Sequence, residues 1–260
     1  MRCVAVIPTY NERDNVLFLI ERLVALPLDL DLVFVDDGSP DGTGTLLDSL
    51  RTTYPQLRVM HRPRKLGLGS AYRQTFHSLL HDGYDRFVAM DADLSHPPKF
   101  IPALLRASQE ADLVIGSRYV QGGGAKDWSS ARHMLSSFAN HVSNGMLCLE
   151  AHDMTAGFRC YSRELLSSLD RIDIRSNGFA FQIEMTYYTK AMGFRVQEEP
   201  ILFEGRRSAK SKMSCREIGG AMRTLIRLWL HRVSGRQKQL RARPAQQGVT
   251  SELRGKRPES

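Results

Sequence analysis

The chain has 260 residues, 42% of them hydrophobic and 25% charged, which is the make-up of an ordinary globular domain with enough apolar side chain to bury a core. The net charge of +8 is lopsided: residues 204–260 hold 15 Lys+Arg against 4 Asp+Glu, and residues 1–203 hold 21 against 24. The basic C-terminal part points to an anionic partner (phosphate groups, a membrane surface or nucleic acid) or to a solvated tail. Four cysteines without CxxC spacing exclude a disulfide framework and suit reduced thiols in a cytoplasmic setting. The opening MRCVAVIPTYNE lacks the apolar core of a signal peptide, and no apolar run approaches the ~18 residues of a membrane span.

In chain order, residues 2–8 read as a buried strand. Asn11 is placed to cap a helix striped by Val16, Leu19, Ile20, Leu23 and Val24, which Pro27 closes. A second strand, 30–37, runs into the turn GSPDG, with Asp41 as cap of a helix over 43–53. A third strand over 57–61, a Gly-led helix over 67–83, a fourth strand over 86–93, a Pro-started helix over 98–109 and a fifth strand over 111–119 follow. This alternation predicts an α/β fold with a mainly parallel central sheet flanked by helices. Beyond residue 120, QGGGAKDW is a flexible connection, 129–148 a long helix, 155–162 strand-like, 178–192 helical and 193–203 strand-like. A basic loop over 204–213 leads to an amphipathic helix, 214–233. On this helix Ile218, Met222, Leu225, Ile226, Trp229 and Leu230 share one face, with Arg223, Arg227 and Arg232 elsewhere. Residues 234–260 are polar and basic, the composition of a disordered tail.

Chemistry gathers where strands end. Asp91 and Asp93 follow the fourth strand, and ligands in open parallel sheets sit beyond the carboxyl ends of strands. Two carboxylates there, two residues apart, can hold a hard cation whose shell is completed by diphosphate oxygens. A lone DxD is more often a solvated turn. Asp36 and Asp37 end the second strand, where a carboxylate can accept hydrogen bonds from ribose or base; Asp37 reads as functional and Asp41 as structural. Pro8, Tyr10 and Glu12 end the first strand on the same edge, an aromatic and a carboxylate able to bracket a nucleoside. Gly67-Leu68-Gly69 is not a nicotinamide-site motif, because the third glycine is replaced by Tyr72 and the run follows the third strand. His96, His133 and His152 have no ligand spacing and read as structural.

As a set, PTYNE (8–12), VDDGSPDGT (35–43), RKLGLGSAY (64–72), MDADLSHPPKFIP (90–102), GSRY (116–119), TAGFRCY (155–161) and GFAFQIEM (178–185) resemble the family 2 glycosyltransferases of the GT-A fold. Within that family they look most like the dolichyl/polyprenyl-phosphate mannosyltransferases, over about residues 3–230. The resemblance implies a GT-A domain over 1–233, with a nucleotide-sugar half (1–120), an acceptor-side half (121–213) and the helix 214–233. It implies that Pro8, Tyr10, Glu12, Val35 and Asp37 surround the guanosine of GDP-mannose. Asp91, Ala92 and Asp93 would lie at the diphosphate and a Mg2+ or Mn2+ ion, with Ser95 at a position that binds metal in some relatives. Arg118, Arg206 and Lys212 match cations that touch phosphates, and Arg118, Arg132 and Ser136 match the surroundings of the acceptor phosphate. The chain departs from the family pattern at Gly205, at Ala209, and at Ser137 and Phe138, where relatives carry Asp, Gly, Arg and Gly.

The implied reaction transfers mannose to dolichyl or polyprenyl phosphate with inversion, by a peripheral protein on the cytosolic face of a membrane, held there directly or by a small anchoring subunit. That face belongs to the plasma membrane in a prokaryote and the endoplasmic reticulum in a eukaryote. The helix 214–233 would lie at the interface with its arginines toward headgroups, or else pack its stripe on the domain. Competing readings are another donor such as UDP-glucose, a non-catalytic nucleotide-sugar-binding subunit, and a nucleic-acid binder, the last without any recognised motif.

Overall fold

A computed structural model describes residues 1–126, 128–205, 215–237 and 240. The first half alternates as predicted: β1 (Cys3–Thr9), α1 (Arg13–Val24), β2 (Leu30–Asp36), α2 (Thr43–Leu50), β3 (Leu57–His61), α3 (Leu68–Leu79) and β4 (Arg86–Ala89). A short 3-10 turn (Pro98–Phe100), α4 (Ile101–Ala107) and β5 (Leu113–Ser117) complete it. Then come β6 (Gly124–Ala125), α5 (Ser130–Leu147), β7 (Arg159–Ser162), α6 (Arg163–Leu169), α7 (Phe179–Ala191), β8 (Val196–Pro200), β9 (Leu202–Phe203) and α8 (Cys215–Val233).

Seven strands form one sheet in the order β3-β2-β1-β4-β7-β5-β8. All neighbours are parallel except β7, which runs antiparallel to both β4 and β5. The near-continuous apolar runs have a direct cause. Side chains alternate between faces, so Ala5 and Ile7 enter one core with Leu19, Ile20 and Phe34. Val4 and Val6 enter the other core with Tyr72, Phe76, Phe87 and Phe181. A strand covered by helices on both faces has no polar side. A third cluster, including Leu147, Ile183, Tyr187, Leu225 and Leu228, joins α5, α7 and α8.

Several expectations need correction. Asn11 does not cap α1. It sits in the left-handed region (φ 60), and the first-turn donors find partners across the loop: Glu12 N donates to Thr43 Oγ1 at 3.0 Å and Arg13 N to Asp41 Oδ2 at 3.2 Å. β4 ends four residues short of the predicted strand, because the chain turns out at the acid pair. The glycine-rich 121–128 connection contains β6, which pairs with β9 in a second, two-stranded sheet. The helix α6 lies between the strand-like 155–162 and the helical 178–192, where the sequence reading places no element. On α8 the predicted stripe divides. Leu225 is buried, whereas Ile218, Met222, Ile226, Trp229 and Leu230 are exposed, as are Met134, Leu135 and Phe138 on α5. The basic loop 206–213 and nearly all of the 234–260 tail lie outside the described residues. Among the described residues no helix is long and apolar enough to cross a membrane.

Candidate active site

Because β1, β2 and β4 are parallel and in register, with Thr9 opposite Asp36 and Val6 opposite Ala89, the loops leaving them open on one edge. A cleft of ≈ 940 Å³ lies there. Its lining brings together Pro8 of β1, Tyr10 and Glu12 after it, and Asp91, Ala92 and Asp93 after β4. The other wall is formed by Lys65, the N-terminal ends of α3 and α7, the 175–178 loop, and Gly220, Arg223, Thr224 and Arg227 of α8. Two helix N-termini facing one cleft give it a positive background suited to anions.

The acid pair is held by its own loop. Ser95 donates to Asp93 Oδ1 twice, from its N at 3.1 Å and its Oγ at 2.5 Å. His96, buried and stacked on Phe158, accepts at Nδ1 from Asp91 N at 3.0 Å. Between the acid pair and Ser95, Leu94 takes φ 64, a conformation that costs a non-glycine residue about 1–3 kcal/mol. Among the described residues there is no group of three or more His, Cys, Asp or Glu side chains able to hold a metal. Two hard carboxylates on one cleft fit a Mg2+ or Mn2+ ion that takes its remaining oxygens from phosphate and water. Ser95 is fully buried and bonded to Asp93, so it orients that carboxylate from behind.

Two predicted donor residues stand back from the cleft. Val35 is fully buried in the core, because its place in the strand points its side chain inward. Asp37 accepts from Arg62 Nη1 at 2.6 Å and from Leu66 N at 3.2 Å, which fixes the 62–66 loop beneath Lys65. Asp41 has the structural role expected of it. Burial works against its charge, but hydrogen bonds from Thr43 outweigh that and hold its carboxyl below the ordinary range.

Arg118 is likewise committed. Its guanidinium forks on Asp153 at 2.7 and 2.6 Å and donates to Thr155 Oγ1 at 2.8 Å. Burial opposes both charges, yet the mutual hydrogen bonds win: Arg118 is held above its usual value and Asp153 below. The side chain is only 9% exposed and lies among the rings of Tyr119, Trp128 and Phe203. The same Trp128 ring carries Arg132 at 4.3 Å, and Ser136 is half-buried on α5. None of the three lines the cleft. Arg206 and Lys212 lie outside the described residues.

The sequence reading missed most of the cationic wall. Glu184, fully buried on α7, accepts from Ser176 N at 2.9 Å, from Ser176 Oγ, from Arg175 N at 3.2 Å and from Arg227 Nη2 at 2.6 Å. One carboxylate therefore ties the 175–176 loop to α8. Asn177 Oδ1 accepts from Ser70 N at 3.2 Å. Gly69 permits that contact, since a Cβ there would lie 2.6 Å from the Ser176 carbonyl oxygen. Lys65 lies over the Tyr10 ring at 4.1 Å.

The family model described as "Glycosyl transferase family 2" matches residues 4–170. The chain belongs to that family. It is 45% identical over 223 residues to the polyprenol monophosphomannose synthase of Mycolicibacterium smegmatis, covering 85% of this chain and 84% of that one. It is 42% identical over 243 residues to the undecaprenyl-phosphate mannosyltransferase of Micrococcus luteus, covering 94% and 99%. Among solved structures, the Pyrobaculum calidifontis mannosyltransferase PcManGT, in complex with GDP-Man and Mn2+, aligns with TM-score 0.55 at 17% identity, over 93% of this chain and 73% of that one. The Mycobacterium tuberculosis glucosyl-3-phosphoglycerate synthase, with Mn2+ and UDP, aligns with TM-score 0.59 at 21% identity, over 90% and 80%. At such identities the likeness is one of fold, and the GT-A architecture expected from the sequence is the one present.

Proposed function

We propose that this family 2 glycosyltransferase moves mannose from GDP-mannose to a polyprenyl, dolichyl-type phosphate, with inversion, giving a polyprenyl-phosphate β-mannose. The observation that carries the reading is a single cleft in which a strand-end acid pair faces a wall of cations and helix N-termini. Relatives named for polyprenyl-phosphate mannose synthesis, matched over most of their length, support the acceptor and the sugar.

Tyr10 and Glu12, with Pro8, bracket the guanosine, and Lys65 packs on Tyr10 beside it. Asp91 and Asp93 would hold Mg2+ or Mn2+, with Ala92 between them at the diphosphate; the chemistry such an ion supplies is Lewis-acid neutralisation of charge on the leaving diphosphate. Ser95 and His96 keep that pair aimed. The helix N-termini and cationic side chains add electrostatic stabilisation fixed in place before the reaction. The acceptor, a phosphate monoester, is largely anionic near neutral pH, so attack on the sugar needs no strong base from the protein. Arg118 and Arg132 share the Trp128 ring; they and Ser136 are assigned to the acceptor phosphate, and Arg206 and Lys212 to phosphates, by family likeness. The exposed apolar residues of α5 and α8 support peripheral contact with the cytosolic face of a membrane, or with a small anchoring subunit.

The test is incubation with labelled GDP-mannose, Mg2+ or Mn2+ and a polyprenyl phosphate, followed by extraction into organic solvent, with UDP-glucose as the competing donor. A lipid-linked mannose that Asp93→Ala fails to make is the expected result. Transfer from UDP-glucose alone, or donor binding without transfer, would overturn the proposal.

A further inference from the structure

The run TAGFR, 155–159, ends in a residue that the reaction above does not use. Arg159 opens β7 and is fully buried. Because β7 runs antiparallel to its neighbours, its first residue stands at the cleft edge of the sheet: Arg159 is opposite Ala89, two residues before Asp91. The guanidinium donates from Nε to the Ala156 carbonyl at 2.7 Å and from Nη2 to the Met154 carbonyl at 3.0 Å. From Nη1 it donates to the Gln182 carbonyl at 3.0 Å and to Thr186 Oγ1 at 2.9 Å. Every one of these acceptors is neutral.

Arg62 and Arg118, also withdrawn from solvent, each meet an aspartate, whereas Arg159 forms no ion pair among the described residues. The Asp153 charge is opposed by burial and favoured by Arg118 and, more weakly, by Arg159, but its oxygens are already forked by Arg118. A guanidinium keeps its charge at any working pH, and burying one without a counter-charge is costly. The acceptors place this charge under the cleft, since Thr155 and Gly157, which alternate with Met154 and Ala156, line it, as does Gln182. A trans peptide sets C=O and N–H on opposite sides. With the carbonyls of Met154 and Ala156 drawn in toward Arg159, the N–H groups of Thr155 and Gly157 turn away from it. Two carbonyl oxygens are thereby kept from facing an anion in the cleft.

We propose that Arg159 is a positioning residue for the leaving diphosphate: it fixes the 154–157 floor and supplies, from beneath, a positive charge whose counter-ion is the anion in the cleft. This rests on the donor reading above and deepens it. Arg159 never touches the ligand. Its four neutral acceptors hold the guanidinium still, so its field acts through the floor, where a low dielectric weakens it little. That field is in place before negative charge grows on the departing group.

The experiment is equilibrium binding, at constant Mg2+, of guanosine, GMP and GDP, of the uridine counterparts and of inorganic pyrophosphate to the full chain and its variants. Arg159→Gln keeps donors but removes the charge, and is expected to weaken binding about threefold for each added phosphate, with guanosine within about twofold. Arg159→Lys keeps the charge and gives up the fork, and should recover most of that dependence. The second probe is Thr186→Asp, away from the cleft lining, which leaves Arg159 in place and hands it a carboxylate. It should reproduce the graded loss, and it decides the matter if Arg159→Gln does not fold. A purely structural Arg159 predicts equal losses for guanosine, GMP and GDP in Arg159→Gln and no loss in Thr186→Asp; either result would overturn the proposal. So would wild-type affinity that does not rise with phosphate number. A graded loss seen with the uridine series and pyrophosphate, in a chain that ignores the guanosine series, would overturn the GDP-mannose reading and leave the role of Arg159 standing.

Discussion

The two walls of the cleft are built by opposite means. The acid wall is local: Asp93 is held by Ser95, two residues away, and Asp91 by His96, five away. The cationic wall is assembled at long range: Arg227 is held by Glu184, 43 positions away, and the α3 terminus by Asn177, 107 positions from Ser70. A short loop with its own hydrogen bonds fixes ligand geometry whatever the rest of the domain does. A wall made by docking one helix on another depends on that docking, so it is the wall that can shift with whatever binds α8.

The largest effect is expected where the walls meet. Thr155 lines the cleft and is held by Arg118, which is locked to Asp153. Asp153→Ala leaves a buried guanidinium uncompensated and should cost about 3–5 kcal/mol in denaturant unfolding. The pH dependence has a definite sign. The folded Asp153 carboxyl titrates below its ordinary 3.8, so its contribution is complete above that pH and is lost as pH falls through the lowered value. Asp153→Asn should therefore flatten the acid limb of the stability curve below pH ~3.8 relative to wild type.

Next, Asp93→Ala should reduce mannosyl transfer about 10²–10³-fold with the circular dichroism and melting curve of wild type, if the acid wall is as self-contained as its hydrogen bonds indicate. A collapse in stability would break the contrast between the walls. Glu184→Ala should cost about 2 kcal/mol, less than a fully dry pair because the Arg227 side chain is 35% exposed. Amide exchange in α8 should rise while exchange over residues 91–96 stays unchanged. Smallest is Ser95→Ala, which should weaken Mn2+ binding about tenfold, the effect of losing an outer partner of a metal ligand, read by titration with the nucleotide present.

This difference in construction explains what the sequence disclosed. The acid wall was readable because strand ends, turn residues and paired acids lie within a few positions of one another. β1, β2, β4 and β5 were readable because two-sided burial makes each a near-continuous apolar run, whereas β3, at the sheet edge, is half-exposed. The cationic wall was not readable, since nothing near Arg227 announces Glu184. That the side chains of Val35 and Asp37 stand back from the cleft was hidden for the same reason. Their position at a strand end was plain, but the inward face of Val35 and the claim of Arg62 on Asp37 are set by the third dimension. Asn11 looked like a cap by residue type, yet Thr43 and Asp41 supply that service from another loop. The antiparallel sense of β7 carried no local mark, because a buried four-residue strand looks alike in either direction.

That reversed strand has a consequence for cutting the chain. β7 is contributed after residue 120 and lies between β4 and β5, so a fragment stopping there would present two bare ladders facing an empty slot. Such edges recruit foreign strands. The first 120 residues are therefore not a detachable module, and shortened versions should precipitate even though Tyr10 and the acid pair are present.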